Sequence, residues 1–212
     1  MLEPMVRQRV RIRFRKQGDL RWIGHRDLMR LLQRLFRRAG LALAMSEGFH
    51  PKPRMSFPSA LAVGIEGLDE ILELELAENP TADELLERLQ HQSVSGLDFT
   101  QVEFLPPGQK ARLRTVVYTA PVREDRAAAT AERIARLLAE PSWPIVRPHR
   151  QNATDLRRSI EALELRDGEL RMTLRADEQG GAGPRDVLTA LGLDDLEPSG
   201  ACLQRTAVEV AG

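Results

Sequence analysis

The start of the chain contains the feature that most constrains its fold, a strict alternation of arginine with apolar side chains. Val10, Ile12 and Phe14 occupy alternate positions, and an arginine stands at each position between them. Successive side chains of a β-strand point to opposite faces, so this period of two predicts a strand that is buried on one face. The residues of the other face are Arg7, Arg9, Arg11, Arg13 and Arg15. The chain must therefore build a sheet with one apolar face and one basic strand.

The pattern that follows predicts the order strand, helix, strand, strand, helix, strand. Helical spacing of apolar residues predicts a helix from about Arg26 to Ala39, ended by Gly40, and a second helix from Thr81. Further strands are predicted near 54–57, at 70–76 and at 97–105. This order is typical of a ferredoxin-like, split βαβ unit.

The same order repeats after Pro106, Pro107 and Gly108, which we interpret as a linker. Strands are predicted at 112–120, 143–147, 160–165, 170–175 and 203–210, and helices at 124–140 and 184–191. Asp167 and Gly168 favour a hairpin turn because both residues tolerate positive φ angles. We therefore predict an α+β protein of two tandem ferredoxin-like units with antiparallel sheets, 1–106 and 107–212.

Charge is unevenly distributed along the chain. The total is zero, with 31 Lys and Arg against 31 Asp and Glu, but residues 1–54 contain 14 of these bases and four of these acids. A phosphate backbone meets a local surface and not an average, so the neutral total does not exclude an RNA partner. The candidate RNA-binding residues lie on the first strand, the first helix and the loop after it: Arg11, Arg13, Arg15, Lys16, Arg30, Arg34, Arg37, Arg38, His50, Lys52 and Arg54.

The strand arginines have an alternative explanation. In a split βαβ sheet the first strand pairs with the third, which here carries Glu73 and Glu75, and the closing strand carries Glu103. Opposite charges on neighbouring strands neutralise each other without a ligand. Both interpretations stay open for the strand, whereas the first helix favours binding because no acidic residue lies between Arg30 and Arg38.

Two segments contain residues suited to chemistry. His25 precedes the first helix, between Gly24 and the nearby Asp27, and a histidine imidazole is a candidate general acid or base. A histidine at this position is also a common structural hydrogen-bonding group. The loop from Gly48 to Arg54 combines stiff prolines with an aromatic ring, a histidine and two cations. It is either a ligand-binding loop or a rigid crossover whose Phe49 and Phe57 fill the core.

Other classes are excluded by composition. Cys202 is the single cysteine, whereas iron–sulfur clusters and most structural zinc sites need three or four thiols, so we expect no metal in this chain. No apolar run approaches the roughly 20 residues of a membrane helix. We therefore expect a cytoplasmic protein that does not bind membranes.

Residues 6–76 resemble a known family. The matching residues are the basic strand ending at Lys16 and Gly18, and a set of short motifs: Gly24, His25, Asp27, Gly48, Phe49, Pro51, Pro53, Ser56 and Phe57. With these residues the chain resembles the radical-SAM-linked protein family, bacterial proteins encoded beside, or fused to, a radical SAM protein with a cobalamin-binding domain. His50 and Lys52 depart from the family loop, which usually has Asn and His at these positions.

The resemblance implies a partner enzyme. The partner would carry the iron–sulfur cluster, S-adenosylmethionine and cobalamin, and this chain would hold no cofactor. The family's usual gene neighbours, ribonuclease E/G and ribosomal proteins, point toward RNA or the ribosome.

These observations favour a non-catalytic accessory protein that binds RNA or a ribosomal component through its basic N-terminal surface. A second hypothesis is a metal-independent ribonuclease, with His25 as general acid or base and Lys52 stabilising the charged phosphorane. A third is a purely protein-binding subunit of the radical SAM enzyme.

Overall fold

A computed structural model describes residues 8–106, 108–147, 153–176 and 181–211, which form two compact units. The second unit is Leu113–Glu209, and the rest of the described chain belongs to the first. The sequence interpretation put the boundary at residue 106. Arg7 and Pro107, named in the sequence predictions, lie outside the described residues.

The first unit has its helices on one side of an antiparallel sheet. Its elements are β1 (Gln8–Lys16), a 3₁₀ helix (Gly18–Trp22), α1 (His25–Arg38), β2 (Met55–Ser56), β3 (Glu66–Leu76), α2 (Ala82–His91) and β4 (Leu97–Leu105). The strands pair in the order β4–β1–β3–β2. The predicted β1 is therefore the central strand, between β4 and β3.

The alternation in β1 determines where the core lies. Val10, Ile12 and Phe14 are completely buried and pack in one apolar cluster with α1 and α2. The helices contribute buried leucines and one phenylalanine at helical spacing: Leu28, Leu32, Leu35, Phe36, Leu85 and Leu89. The arginines of β1 consequently lie on the opposite face of the sheet from the helices.

The ends of both helices follow from local chemistry. Gly40 adopts a φ of +68°, the left-handed conformation that ends α1 and that side chains other than glycine rarely adopt. At the start of α2, the Glu84 amide donates to Thr81 Oγ1 at 3.2 Å, and the Thr81 amide donates to Glu84 Oε2 at 2.8 Å. This capping box makes Thr81 the N-cap, so the helix begins one residue after the predicted start.

The second unit also combines helices with a sheet. Its elements are β5 (Arg112–Pro121), α3 (Glu124–Ala139), β6 (Pro144–Ile145), β7 (Thr154–Asp155), α4 (Leu156–Ser159), β8 (Ile160–Arg166), β9 (Glu169–Arg175), α5 (Pro184–Ala190) and β10 (Gln204–Ala211). The main strand order is β10–β5–β9–β8, and β6 pairs with β7. Asp167 and Gly168 have φ angles of +49° and +75° in the turn between β8 and β9, where the sequence predicted a hairpin.

The predicted combination of helices with mostly antiparallel strands is confirmed at this level. The 3₁₀ helix, β7 and α4 were not predicted, and β3 begins at Glu66 instead of near Glu70. Among the described helices, none is both long and apolar enough to cross a membrane.

Candidate nucleic-acid interface

The solvent-facing side of α1 carries a row of four exposed arginines, which we call the arginine row: Arg26, Arg30, Arg34 and Arg37. At 3.6 residues per turn they fall within a sector of about 80°, and the row is about 16 Å long. Arg30 donates to Asp27 at 3.2 Å. Within the described part of the chain, the other three guanidinium groups have neither a hydrogen bond nor an ion pair.

Arg38 lies beside this row and is also exposed. Its Nε donates to Gln92 Oε1 at 3.1 Å, which ties it to the end of α2 without neutralising its charge. The predicted helix arginines are therefore all accessible. Sequence reasoning omitted Arg26 from the candidates, although its spacing of four residues from Arg30 was a sufficient signal.

The strand arginines are engaged inside the protein. Arg9 donates to Glu73 Oε2 through NH2 at 2.7 Å, and Arg11 donates to Oε1 of the same carboxylate at 2.9 Å. The Ala111 amide donates to both oxygens, at 3.1 and 3.2 Å. Glu73 is only 2% exposed. We call Glu73, Arg9 and Arg11 the Glu73 cluster. In this cluster a single buried carboxylate accepts hydrogen bonds from two guanidinium groups.

Electrostatics within the Glu73 cluster favour the ionised carboxylate. Burial alone would raise the pKa of Glu73, but the hydrogen bonds from Arg9, the Ala111 amide and Arg11 outweigh it, and the pKa lies below its ordinary value. For these arginines the ion-paired explanation of the basic strand agrees with the structure. Glu103 adds a longer contact, 3.8 Å from Arg11.

The remaining basic residues of β1 differ in exposure. Arg13 forms an ion pair of 2.5 Å with Asp69, and the exposed Arg15 stands opposite Asp98 in the strand register. Lys16 is 1% exposed, and its Nζ donates to the Ile23 carbonyl oxygen at 3.0 Å. We therefore leave Arg11 and Lys16 out of the candidate surface, because their polar groups are buried.

The loop of residues 46–52, which we call the Phe49 loop, is closed by a short neck. The Ser46 amide donates to the Lys52 carbonyl oxygen at 2.8 Å, and the Lys52 amide donates to Ser46 Oγ at 3.0 Å. Met45 and Pro53 form an antiparallel bridge directly below this neck. The loop is thus a projection with a fixed base.

Phe49 is completely exposed in this loop, at 103% of its reference area. Its neighbours Gly48, His50, Pro51 and Lys52 are exposed as well. Of the two interpretations of this loop, the rigid crossover with Phe49 in the core is wrong for Phe49, because its ring is in solvent. Arg54 lies below the neck, where its Nε donates to the Met45 carbonyl oxygen at 3.2 Å and lies 3.7 Å from Glu75 Oε2.

Phe57 follows β2 and packs against the start of α1. Its ring packs edge-on against the His25 ring, with centroids 5.0 Å apart, and against Phe14 at 6.2 Å. Further along α1, Gln33 Nε2 donates to Met55 Sδ at 3.8 Å. Helix α1 and the segment around β2 are distant in sequence. They meet at Phe57 and Met55.

His25 itself is exposed and precedes the buried positions of α1. The described residues provide its side chain with no hydrogen bond or ion pair, so its visible role is the ring contact with Phe57. Gly24 is the N-cap of α1, and Asp27 lies in the first turn, where a negative charge stabilises the helix by interacting with its dipole.

A cleft of about 340 Å³ lies beside the Glu73 cluster and is lined by Arg9, Arg54, Glu73, Glu75 and Lys110, among others. Arg9 and Arg54 already contact these carboxylates, so within the described residues the exposed Lys110 is the cation of this lining without an acidic partner. Over the described residues, no group of three or more His, Cys, Asp and Glu is placed to hold a metal ion.

Residues 9–184 match the model of a family described as an uncharacterized protein conserved in bacteria, DUF2344. The chain belongs to this family. Its description agrees with the predicted bacterial family of unknown function and names no radical SAM enzyme, so that link stays a prediction.

Further comparisons add no functional information. No curated protein matches the chain. A crystal structure of an unknown protein from Galdieria sulphuraria is matched over 98% of this chain and 100% of that chain, with 12% sequence identity and a TM-score of 0.28.

Proposed function

We propose that this chain is a non-catalytic accessory protein that binds RNA through the arginine row and the Phe49 loop. The observation that carries the proposal is the exposed row on α1, in which three guanidinium groups are free of partners among the described residues. Arginine presents several donors in a planar fork that matches phosphate oxygens, so such a row suits a phosphate backbone.

The arginine row is costly for the isolated protein. Arg26 and Arg30, Arg30 and Arg34, and Arg34 and Arg38 are like-charged pairs four residues apart, each of which destabilises a helix by about 0.2–0.5 kcal/mol. A bound polyanion would relieve this repulsion. Arg11 and Lys16 contribute nothing comparable, because both are buried. The arginine row therefore lies on the helix side of the sheet, and the proposed surface excludes the Glu73 cluster.

The proposal includes a fold assignment and a partner. The strand orders β4–β1–β3–β2 and β10–β5–β9–β8 support two tandem ferredoxin-like units, because each order brings the first and third main strands together. The partner would be a radical SAM protein with a cobalamin-binding domain, and it would supply the iron–sulfur cluster, S-adenosylmethionine and cobalamin.

RNA binding is tested by fluorescence anisotropy with the full chain and labelled RNA over a range of salt concentrations. Arg34→Glu/Arg37→Glu should abolish tight binding and reduce the slope of log K against log salt by about two, one for each lost phosphate contact. The matched control is Arg136→Glu/Arg171→Glu, which changes the net charge equally at exposed positions in the second unit. Unchanged binding by the α1 variant, or an equal loss in the control, would contradict the proposal.

The alternatives are separated by two further measurements. Incubation of the chain with labelled RNA in EDTA should leave the RNA intact; cleavage that disappears in His25→Ala would instead support the ribonuclease and overturn the non-catalytic assignment. Copurification of the tagged chain with and without nuclease tests the partner. A radical SAM protein that copurifies from a chain unable to bind RNA would favour the purely protein-binding subunit.

A further inference from the structure

Phe49 is the most exposed large apolar side chain of the described structure. Both faces of its ring are open to solvent, and the Cβ position of the adjacent Gly48 has no atom within 4 Å. An aromatic ring normally stabilises a fold by leaving water. Phe49 does not do so here, which points to a ligand outside the chain.

The base of the Phe49 loop is closed by contacts within the chain. Its neck is closed by two hydrogen bonds between Ser46 and Lys52, and Pro51 and Pro53 restrict the backbone on the side that returns to β2. A closed base limits the backbone conformations of the loop and so lowers the entropy cost of binding at its tip.

The surroundings of Phe49 favour a nucleobase over a protein. Within residues 46–52, Phe49 is the only large apolar side chain, and the charged residues are Glu47 and Lys52. One aromatic side chain buries about 150–250 Å², well below the roughly 800 Å² that each partner of a stable protein interface contributes. A single base, by contrast, stacks on a single ring, and the ammonium group of Lys52 on the same loop suits its phosphate.

We infer that Phe49 stacks on an unpaired base, and that the ligand of this surface is single-stranded RNA. The inference rests on the RNA binding proposed above and specifies its substrate class. In an A-form duplex the base faces are covered by their neighbours and the deep groove excludes side chains, so the ring would have no face to contact. The arginine row recognises phosphates in both single-stranded and duplex RNA, whereas Phe49 distinguishes single strand from duplex.

Anisotropy with a labelled A-rich strand of about 12 nucleotides, within the range that small modules bind, tests this, with the same strand annealed to its complement as the second ligand. Phe49→Leu should weaken single-strand binding by about 5- to 150-fold and leave duplex binding unchanged. Phe49→Tyr should restore single-strand binding because the ring is kept. Since Phe49 is fully exposed, all variants should show the thermal unfolding of the parent.

A second readout reports stacking directly. With 2-aminopurine in the strand, binding to the parent chain should change the base fluorescence, and binding to Phe49→Leu should not. Equal losses on single strand and duplex, or no loss in Phe49→Leu while Arg34→Glu/Arg37→Glu abolishes binding, would overturn the stacking inference and leave RNA binding standing. Full RNA binding by the α1 variant would overturn the proposed surface itself.

Discussion

Removal of the charge of Glu73 should destabilise the first unit severely. Its carboxylate accepts hydrogen bonds from Arg9, Arg11 and the Ala111 amide and is 2% exposed. In Glu73→Gln both guanidinium groups lose their counter-charge, and that of Arg11 is only 7% exposed. Breaking a buried ion pair in this way costs about 3–5 kcal/mol, because the remaining charge is left uncompensated.

The measurement is urea unfolding followed by Trp22 fluorescence in a Trp143→Phe background, so that the signal comes from the first unit. The matched control is Glu75→Gln, on the same face of β3. Glu75 is 24% exposed and contacts Arg54 at 3.7 Å, so its charge should contribute about 0–1 kcal/mol. Equal costs for the two variants would refute the reasoning.

The contribution of the Glu73 carboxylate to the free energy of unfolding should also depend on pH. The pKa of Glu73 is lower in the folded protein than its unfolded value of about 4.3. Its contribution is therefore complete above that unfolded pKa and is lost as the pH falls through the folded pKa. The stability difference between the parent and Glu73→Gln should be constant near neutrality and shrink below about pH 4.

Further variants test other parts of the first unit. Thr81→Ala removes the cap of α2 and should lower the free energy of unfolding by about 1 kcal/mol, whereas Thr81→Ser should retain most of it. Gly96→Ala should cost more than Gly108→Ala in the same assay. Both glycines have a φ of +81°, which costs about 1–3 kcal/mol for other residues, but only a Cβ at Gly96 would clash, with the Gln17 carbonyl oxygen. Similar costs for these two variants would argue against that contact.

Local periodicity predicted the elements that bury one face. β1, α1 and α2 follow from the spacing of residues such as Ile12, Leu32 and Leu85, because burial of an apolar face selects one period. The start of α2 also followed from the residue type at Thr81. The 3₁₀ helix and the short β7 and α4 bury little regular apolar surface, so no period in the sequence indicates them.

The sequence was sufficient to name the basic residues of the candidate site. It was not sufficient to separate the exposed residues from the buried or ion-paired ones. Charge alone cannot distinguish Lys16, which is buried against backbone carbonyl oxygens, from the exposed Arg15 beside it. The pairing of Arg9 and Arg11 with one carboxylate depends on the register of β1 and β3, a long-range property. The arginine row was predictable because helical spacing is local. The exposure of Phe49 was not, since an aromatic residue in a proline-rich loop is equally suited to the core.

The closed neck of the Phe49 loop holds the two ends of the segment between Ser46 and Lys52 together. Its backbone is joined at the base by the two hydrogen bonds and by the bridge below them, and the pairing of β2 with β3 lies beyond this base. We therefore expect β2 and β3 to stay paired when the tip is replaced by another sequence of equal length. A Cys202→Ser/His50→Cys variant would carry one thiol at this tip and keep Phe49, which gives a defined attachment point for a crosslinker that captures the ligand of the loop in the cell.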